Sequence, residues 1–342
     1  MSALVSERYA RQVLLPFIGQ EGQRKLEHSR VVLVGCGALG TAVANNLARA
    51  GVGYLKICDR DFVELSNLQR QILFDEDDLA GNLPKAEAAA RRCAKINSEI
   101  SVEAVVCDIN FTNIEALIAG ADLVIDGTDN FETRYLINDA CVKNAIPWIY
   151  GSCVSTYGLY MAIRPGKTPC LRCVLPVSGD PGVGQTCDTA GVLNSIAAII
   201  AAYQCSEALK FLTGHEDAWT KGLTEVDVWA SSHTEMRVER VPECICCGQR
   251  KFDFLDGHEG VLLTSLCGRN AVQIVQKSSA ALDLMALGQK LEKLGTVSTN
   301  RFLLKFVVDD YEITVFPDAR AIIKGTHDLA QAKSVYAKYI GG

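Results

Sequence analysis

The segment Val31-Val32-Leu33-Val34-Gly35-Cys36-Gly37-Ala38-Leu39-Gly40 constrains the fold of this chain more than any other. Four consecutive apolar residues, three of them β-branched, read as a buried strand. A Gly-x-Gly-x-x-Gly spacing follows at once and leads into a helical stretch over 41–50. Glycines so placed permit a tight turn and bring a phosphate close to backbone N–H groups at a helix N-terminus, where the helix dipole also favours negative charge. A second strand over 54–58 ends on Asp59, 19 positions after Gly40, where an acidic side chain reaches a ribose hydroxyl. Strand, helix and strand form one unit, which implies a parallel sheet with a right-handed crossover. Alone, the unit indicates a nucleotide and does not separate a dinucleotide from ATP.

The alternation continues, with helices expected over 85–96, 114–119 and 131–144 and strands over 102–106, 123–126 and 148–150, the last ending in Gly151. Residues 159–164 alternate and read as a further, antiparallel strand. The stretch 176–191, rich in Gly, Pro, Ser and Asp, reads as a loop. A long helix over 192–212 and closing strands over 225–229 and 235–240 follow. The fold class is therefore α/β, a Rossmann-like domain whose mostly parallel sheet continues into antiparallel strands. Beyond Gly248 the pattern becomes strand-helix-strand-strand-strand-helix, with elements at 280–294, 302–308, 312–316 and 328–340. This reads as a small α+β domain. Domains of 1–248 and 249–342 suit a chain of 342 residues.

Lys plus Arg number 34 against 40 Asp plus Glu, a net charge of −6 that carries no nucleic-acid footprint. No run of 18 apolar residues occurs, and the short apolar stretch at 196–203 reads as a buried helix, so no membrane partner is expected. The first residues lack the apolar core of a signal peptide, so a cytoplasmic location is expected. The fourteen cysteines then read as free thiols, metal ligands or catalytic groups. Cys170-x-x-Cys173 and Cys244-x-x-Cys247 offer four thiolates for a closed, structural zinc site, with Cys246 as an alternative ligand. Cys187 stands in the Gly-rich loop just ahead of a helix, where a thiol is readily ionised. Cysteines 36, 58, 93, 107, 141, 153 and 205 fall in apolar or helical segments and read as core.

Asn67 and Arg70 follow Asp59 closely, and Lys85 opens the next helix. Two cations beside a glycine loop suit a triphosphate, whose charge hydride chemistry does not require the protein to neutralise. The ordered set Arg8-Tyr9-x-Arg11-Gln12, Gly35-x-Gly37-x-x-Gly40, Asp59-x-Asp61, Ser66-Asn67-Leu68-Gln69-Arg70-Gln71, Pro84-Lys85 and Asp126-x-Thr128-Asp129-Asn130, with both cysteine pairs, resembles the MoeB/ThiF/HesA family over about residues 5–248. Members are ATP-dependent activators of ubiquitin-like and sulfur-carrier proteins.

The resemblance implies that the C-terminal glycine carboxylate of a small β-grasp carrier attacks the α-phosphate of ATP, giving acyl-adenylate and pyrophosphate. It further implies that Gly35, Gly37, Gly40, Asp59 and Asp61 line the nucleotide and that Asn67, Arg70 and Lys85 contact its phosphates. Asp129, with Asn130 beside it, would position Mg²⁺. Arg11 would reach the ATP of the other subunit in a homodimer, and Cys187 would capture the adenylated carrier. A cysteine desulfurase or another sulfur donor is an implied partner, and the carrier's pathway, thiamin, molybdopterin or another, stays open. Two rival readings are a nicotinamide- or flavin-dependent oxidoreductase, resting on the glycine loop and Asp59, and a non-catalytic partner subunit. Arg11, Arg70, Lys85 and Asp129 together argue against the second. Leu266-Cys267-Gly268-Arg269-Asn270 reads either as a reactive patch or as a strand-end turn. Ile340-Gly341-Gly342 looks like a carrier tail, but the helix before it lets Gly341 serve as a C-cap.

Overall fold

The computed structural model describes residues 7–176, 190–257, 265–266, 271–274, 282–317 and 319–340. The chain divides into a first unit, residues 1–260, and a second, 261–342. The division expected at 248 shifts because Phe252, Phe254 and Leu255 are buried in a core of the first unit, with Trp148, Tyr150 and the cysteine pairs. Their apolar character was legible; which core they join was not.

The first unit is built on one eight-stranded sheet in the order β3-β2-β1-β4-β5-β6-β7-β8. Its strands are β1 (Arg30–Val34), β2 (Tyr54–Asp59), β3 (Ser101–Val106), β4 (Leu123–Asp126), β5 (Trp148–Val154), β6 (Tyr157–Ile163), β7 (Gly222–Asp227) and β8 (Ser232–Arg237). Strands β3 to β5 are parallel and β5 to β8 antiparallel, as the sequence pattern indicates. Buried on both faces, β1 and β4 read as unbroken apolar runs, the signature of a covered parallel sheet. The helices are α1 (Gly19–His28), α2 (Ala38–Ala50), α3 (Glu76–Ala80), α4 (Lys85–Ile96), α5 (Ile114–Ile118), α6 (Phe131–Lys143), α7 (Leu171–Val174) and α8 (Asn194–Leu212).

β5 does not stop at Gly151 but runs on to Val154. A Cβ on Gly151 would lie 2.3 Å from the amide nitrogen of Gln204 on α8, so this glycine marks a close crossing of helix over sheet and not a strand end. Helix α8 is long and apolar enough to cross a membrane, yet Ile196, Ala197, Ile200, Ala201 and Ala208 are sealed in the core of the first unit.

The second unit carries an antiparallel sheet in the order β11-β12-β13-β14-β10-β9. Its strands are β9 (Ser265–Leu266), β10 (Ala271–Ile274), β11 (Thr296–Thr299), β12 (Leu304–Val308), β13 (Tyr311–Val315) and β14 (Ala321–Lys324). One face packs Phe306, Ile313, Val315 and Ile323 against helices α9 (Leu284–Leu291) and α10 (Leu329–Tyr339). Strand β11 is an addition to the expected pattern, since Thr-Val-Ser-Thr carries too little apolar signal to stand out and is held by pairing with β12. The helix expected over 280–294 is shorter, because the Asp283 carboxylate caps it by accepting from the N–H groups of Met285 and Ala286, both at 3.0 Å. Cys187, Cys267, Gly341 and Gly342 lie outside the described residues.

Candidate nucleotide site and metal centre

Three loops converge at the C-terminal ends of β2, β1 and β4, beside the point where the strand order reverses. The central one, after β1, carries the glycines, and they do different work. Gly35 has φ +89°, and an added Cβ would meet the carbonyl of Gly127 at 2.8 Å. A Cβ on Gly40 would lie 2.1 Å from the Gly35 oxygen, so α2 lies directly against the loop. A Cβ on Gly37, at the N-terminus of α2, would meet nothing from outside its own helix and neighbours closer than the Gly127 oxygen at 3.9 Å. No side chain caps α2, which leaves its first N–H groups for an anion. Gly127, which no sequence motif singled out, is the counterpart just past the end of β4: a Cβ there would lie 2.5 Å from the Gly35 oxygen.

Asp59, buried at the end of β2, ties this arrangement together. One oxygen accepts from the Cys36 N–H at 2.6 Å and the other from the Asp61 N–H at 2.7 Å. Burial raises its pKa, with the Lys85 ammonium pulling the other way. Lys85, buried at the start of α4, lies 3.2 Å from the Asp61 carboxylate. Asn67 is buried and accepts from the Glu64 N–H at 3.1 Å, which shapes the turn before Arg70. Arg70 is half-buried and donates to the Ser66 carbonyl at 2.7 Å. Asp129 is exposed on the loop after β4, and Asn130 caps α6 through the Thr133 N–H at 2.8 Å. Beneath this loop Asp126 and Arg134, both buried, form an ion pair at 3.3 Å, and Thr128 donates to Asp126 through its N–H and its hydroxyl. Burial raises the Asp126 pKa against the pull of Arg134.

The Arg8-Tyr9-x-Arg11-Gln12 segment splits into anchors and one exposed cation. Arg8 donates to the Ile96 carbonyl at 2.9 Å. Tyr9 is buried and accepts from Asn97 at 2.8 Å, and Gln12 donates to Gln23 and to the Ala50 carbonyl. Arg11 is exposed and touches none of the nucleotide-site residues of its own chain through a described bond.

The sulfur atoms of Cys170, Cys173, Cys244 and Cys247 all lie within 4.8 Å of one another, with close pairs at 3.4, 3.6 and 3.9 Å. A tetrahedral zinc with Zn–S bonds of about 2.3 Å separates its sulfurs by about 3.8 Å, so the donor set fits zinc and is far too wide for disulfides. Cys246 is also buried here, but its sulfur accepts from the Asn138 amide at 3.2 Å and it stands outside the four-sulfur group.

The model of the ThiF family matches residues 9–246. The sulfur carrier protein ThiS adenylyltransferase of Bacillus subtilis (strain 168) is 46% identical over 337 residues, which span 98% of this chain and 99% of that protein. The SAMP-activating enzyme E1 of Haloferax volcanii is 36% identical over 256 residues, 75% of this chain and 94% of that protein. Among solved structures, E. coli MccB with ATP superimposes with a TM-score of 0.63 at 27% identity, over 71% of this chain and 75% of that one.

Proposed function

Because the chain belongs to the ThiF family, we propose that it activates the C-terminal glycine of a ThiS-type sulfur-carrier protein with Mg·ATP, giving an acyl-adenylate and pyrophosphate. The observation that carries this reading is the meeting of the uncapped α2 N-terminus, Lys85 and the Asp129 loop at the C-terminal ends of the parallel strands. The ThiS type is favoured because the similarity to the Bacillus relative continues through the second unit, whereas the archaeal relative aligns over 75% of the chain.

A carrier carboxylate and a triphosphate repel one another, so the protein's task is neutralisation and alignment. Gly37 leaves room for a phosphate at the α2 N-terminus. Lys85, steadied by Asp61, and Arg70 supply positive charge. Asp129, exposed, would hold Mg²⁺, which supplies further neutralisation of the phosphates. One carboxylate oxygen forms a bond to the α-phosphorus as the bond to the bridging oxygen breaks, and pyrophosphate leaves with the electron pair. Attack of a Cys187 thiolate on the adenylate carbonyl would then release AMP and leave a thioester, in keeping with the placement of this cysteine in the sequence. The four cysteines would hold zinc in a closed, structural site that leaves no position for substrate.

Arg11 serves the site of a second copy in a homodimer. Its neighbours Arg8, Tyr9 and Gln12 are pinned while it stays exposed, and Leu14, Leu15 and Phe17 beside it present exposed apolar surface that a second copy would cover.

ATP–pyrophosphate exchange dependent on a ThiS-type carrier tests the reading. Exchange with that carrier, lost in Arg70→Ala and in Asp129→Ala while both stay folded, supports it. Silence with every glycine-ending carrier, or normal exchange in either variant, overturns it. Cys187→Ala keeps exchange and abolishes the covalent carrier complex if the thioester step is right.

A further inference from the structure

Helix α6 joins the two halves of the site described above. Its N-terminus is the Asp129–Asn130 loop, and one turn in, Arg134 donates to the Thr128 carbonyl at 2.8 Å and pairs with Asp126. One turn further, Asn138 is fully buried and bridges both cysteine knuckles. Its carbonyl oxygen accepts from the Leu171 N–H at 2.9 Å, and its amide donates to the Cys246 sulfur at 3.2 Å. Next to it, the buried Asp139 carboxylate accepts from the Phe254 N–H at 3.1 Å, just beyond the second knuckle. Tyr135 adds a third link, its hydroxyl donating to the Leu175 carbonyl at 3.2 Å while its ring stacks on Phe254. An intact helix of 13 residues is a stiff rod about 20 Å long, so a grip at its middle, on Asn138 and Asp139, sets the position of its N-terminal end two turns away.

We propose that Asn138 is a positioning residue: by bridging the two cysteine knuckles it makes the metal clip hold α6 in place, and through α6 it sets the loop that presents Asp129. The inference rests on the functional reading above, in which Asp129 serves Mg·ATP. It separates Asn138 from a residue that merely fills the core, because its loss is felt in the metal dependence of nucleotide binding and not in stability alone.

The test is titration of Mg²⁺ against binding of ATP, with zinc release to a chromogenic chelator measured on the same samples. Asn138→Ala is expected to release zinc several-fold faster and to raise the half-saturating Mg²⁺ concentration about fivefold, with ATP binding in Mg²⁺-free buffer unchanged. Stripping zinc from the unaltered protein gives the same Mg²⁺ shift without any substitution. Cys141→Ala, equally buried on the same helix, leaves the Mg²⁺ dependence unchanged. An unshifted Mg²⁺ dependence in Asn138→Ala or in the zinc-stripped protein, or an equal shift in Cys141→Ala, overturns the proposal. If the unaltered protein shows no Mg²⁺-dependent ATP binding, the functional reading falls and takes this inference with it.

Discussion

The glycine loop permits the sharpest test, since Gly37 and Gly40 belong to one spacing but meet different surroundings. An alanine Cβ at position 40 would lie 2.1 Å from the Gly35 oxygen, where ordinary contact begins at 3.4 Å. The obstacle is backbone, so the loop or α2 must retreat by more than an ångström. Overpacking of this kind costs about 1–3 kcal/mol, which lowers Tm by several degrees, and an ångström of misplacement costs about a hundredfold in rate. At position 37 the nearest atom from outside its own helix and neighbours is 3.9 Å away, so a methyl group fits without displacing anything. That methyl would occupy the space a phosphate needs to reach the α2 N–H groups. Gly37→Ala is thus expected to keep Tm within about 2 °C while losing ATP affinity about tenfold, or 1.4 kcal/mol. Gly40→Ala loses both stability and exchange. Differential scanning fluorimetry and calorimetric ATP binding read the two effects separately. Full ATP affinity in Gly37→Ala would refute the phosphate cradle, and unchanged stability in Gly40→Ala would refute the described approach of helix and loop.

Mixing Arg11→Ala with Arg70→Ala, each inactive alone, is expected to restore roughly a quarter of the exchange activity, because half the dimers then carry one intact site; no recovery would remove the cross-subunit role. Cys244→Ser should lower the zinc content from one ion per chain toward zero and lower Tm, as metal analysis and fluorimetry would show, since the site closes only with four sulfurs. Asp126→Asn leaves the Arg134 guanidinium buried without its counter-charge and is expected to cost about 3–5 kcal/mol in urea unfolding; a cost below about 1 kcal/mol would show that the pair does not brace the loop.

The strand and helix order of the first unit, the glycine spacing and the four zinc-fitting cysteines were readable from the chain, because each is a local pattern. Period-two and period-3.6 apolar runs report how a segment faces its core. Two Cys-x-x-Cys pairs supply a donor set of the kind that fits one ion. What the same letters hide is who the neighbour is. Asp59 reads as a ribose ligand, and the structure shows both its oxygens already accepting from the backbone of the glycine loop and of Asp61. Lys85 reads as a phosphate contact, and it is already steadied by Asp61. Asn138 carried no signal, since one asparagine in a helix resembles any other until two distant knuckles close on it.

The chain by itself determined the class of the fold, the glycine loop and the two cysteine pairs, because short-range periodicity and spacing encode them. Only the tertiary structure decided that Gly40 serves packing while Gly37 leaves room for phosphate, that Phe252 and Phe254 belong to the first unit, and that α6 ties the cysteine clip to the Asp129 loop. Those properties arise from contacts between segments up to about a hundred residues apart. The steric and hydrogen-bonding consequences of such contacts exist only once the backbones have met.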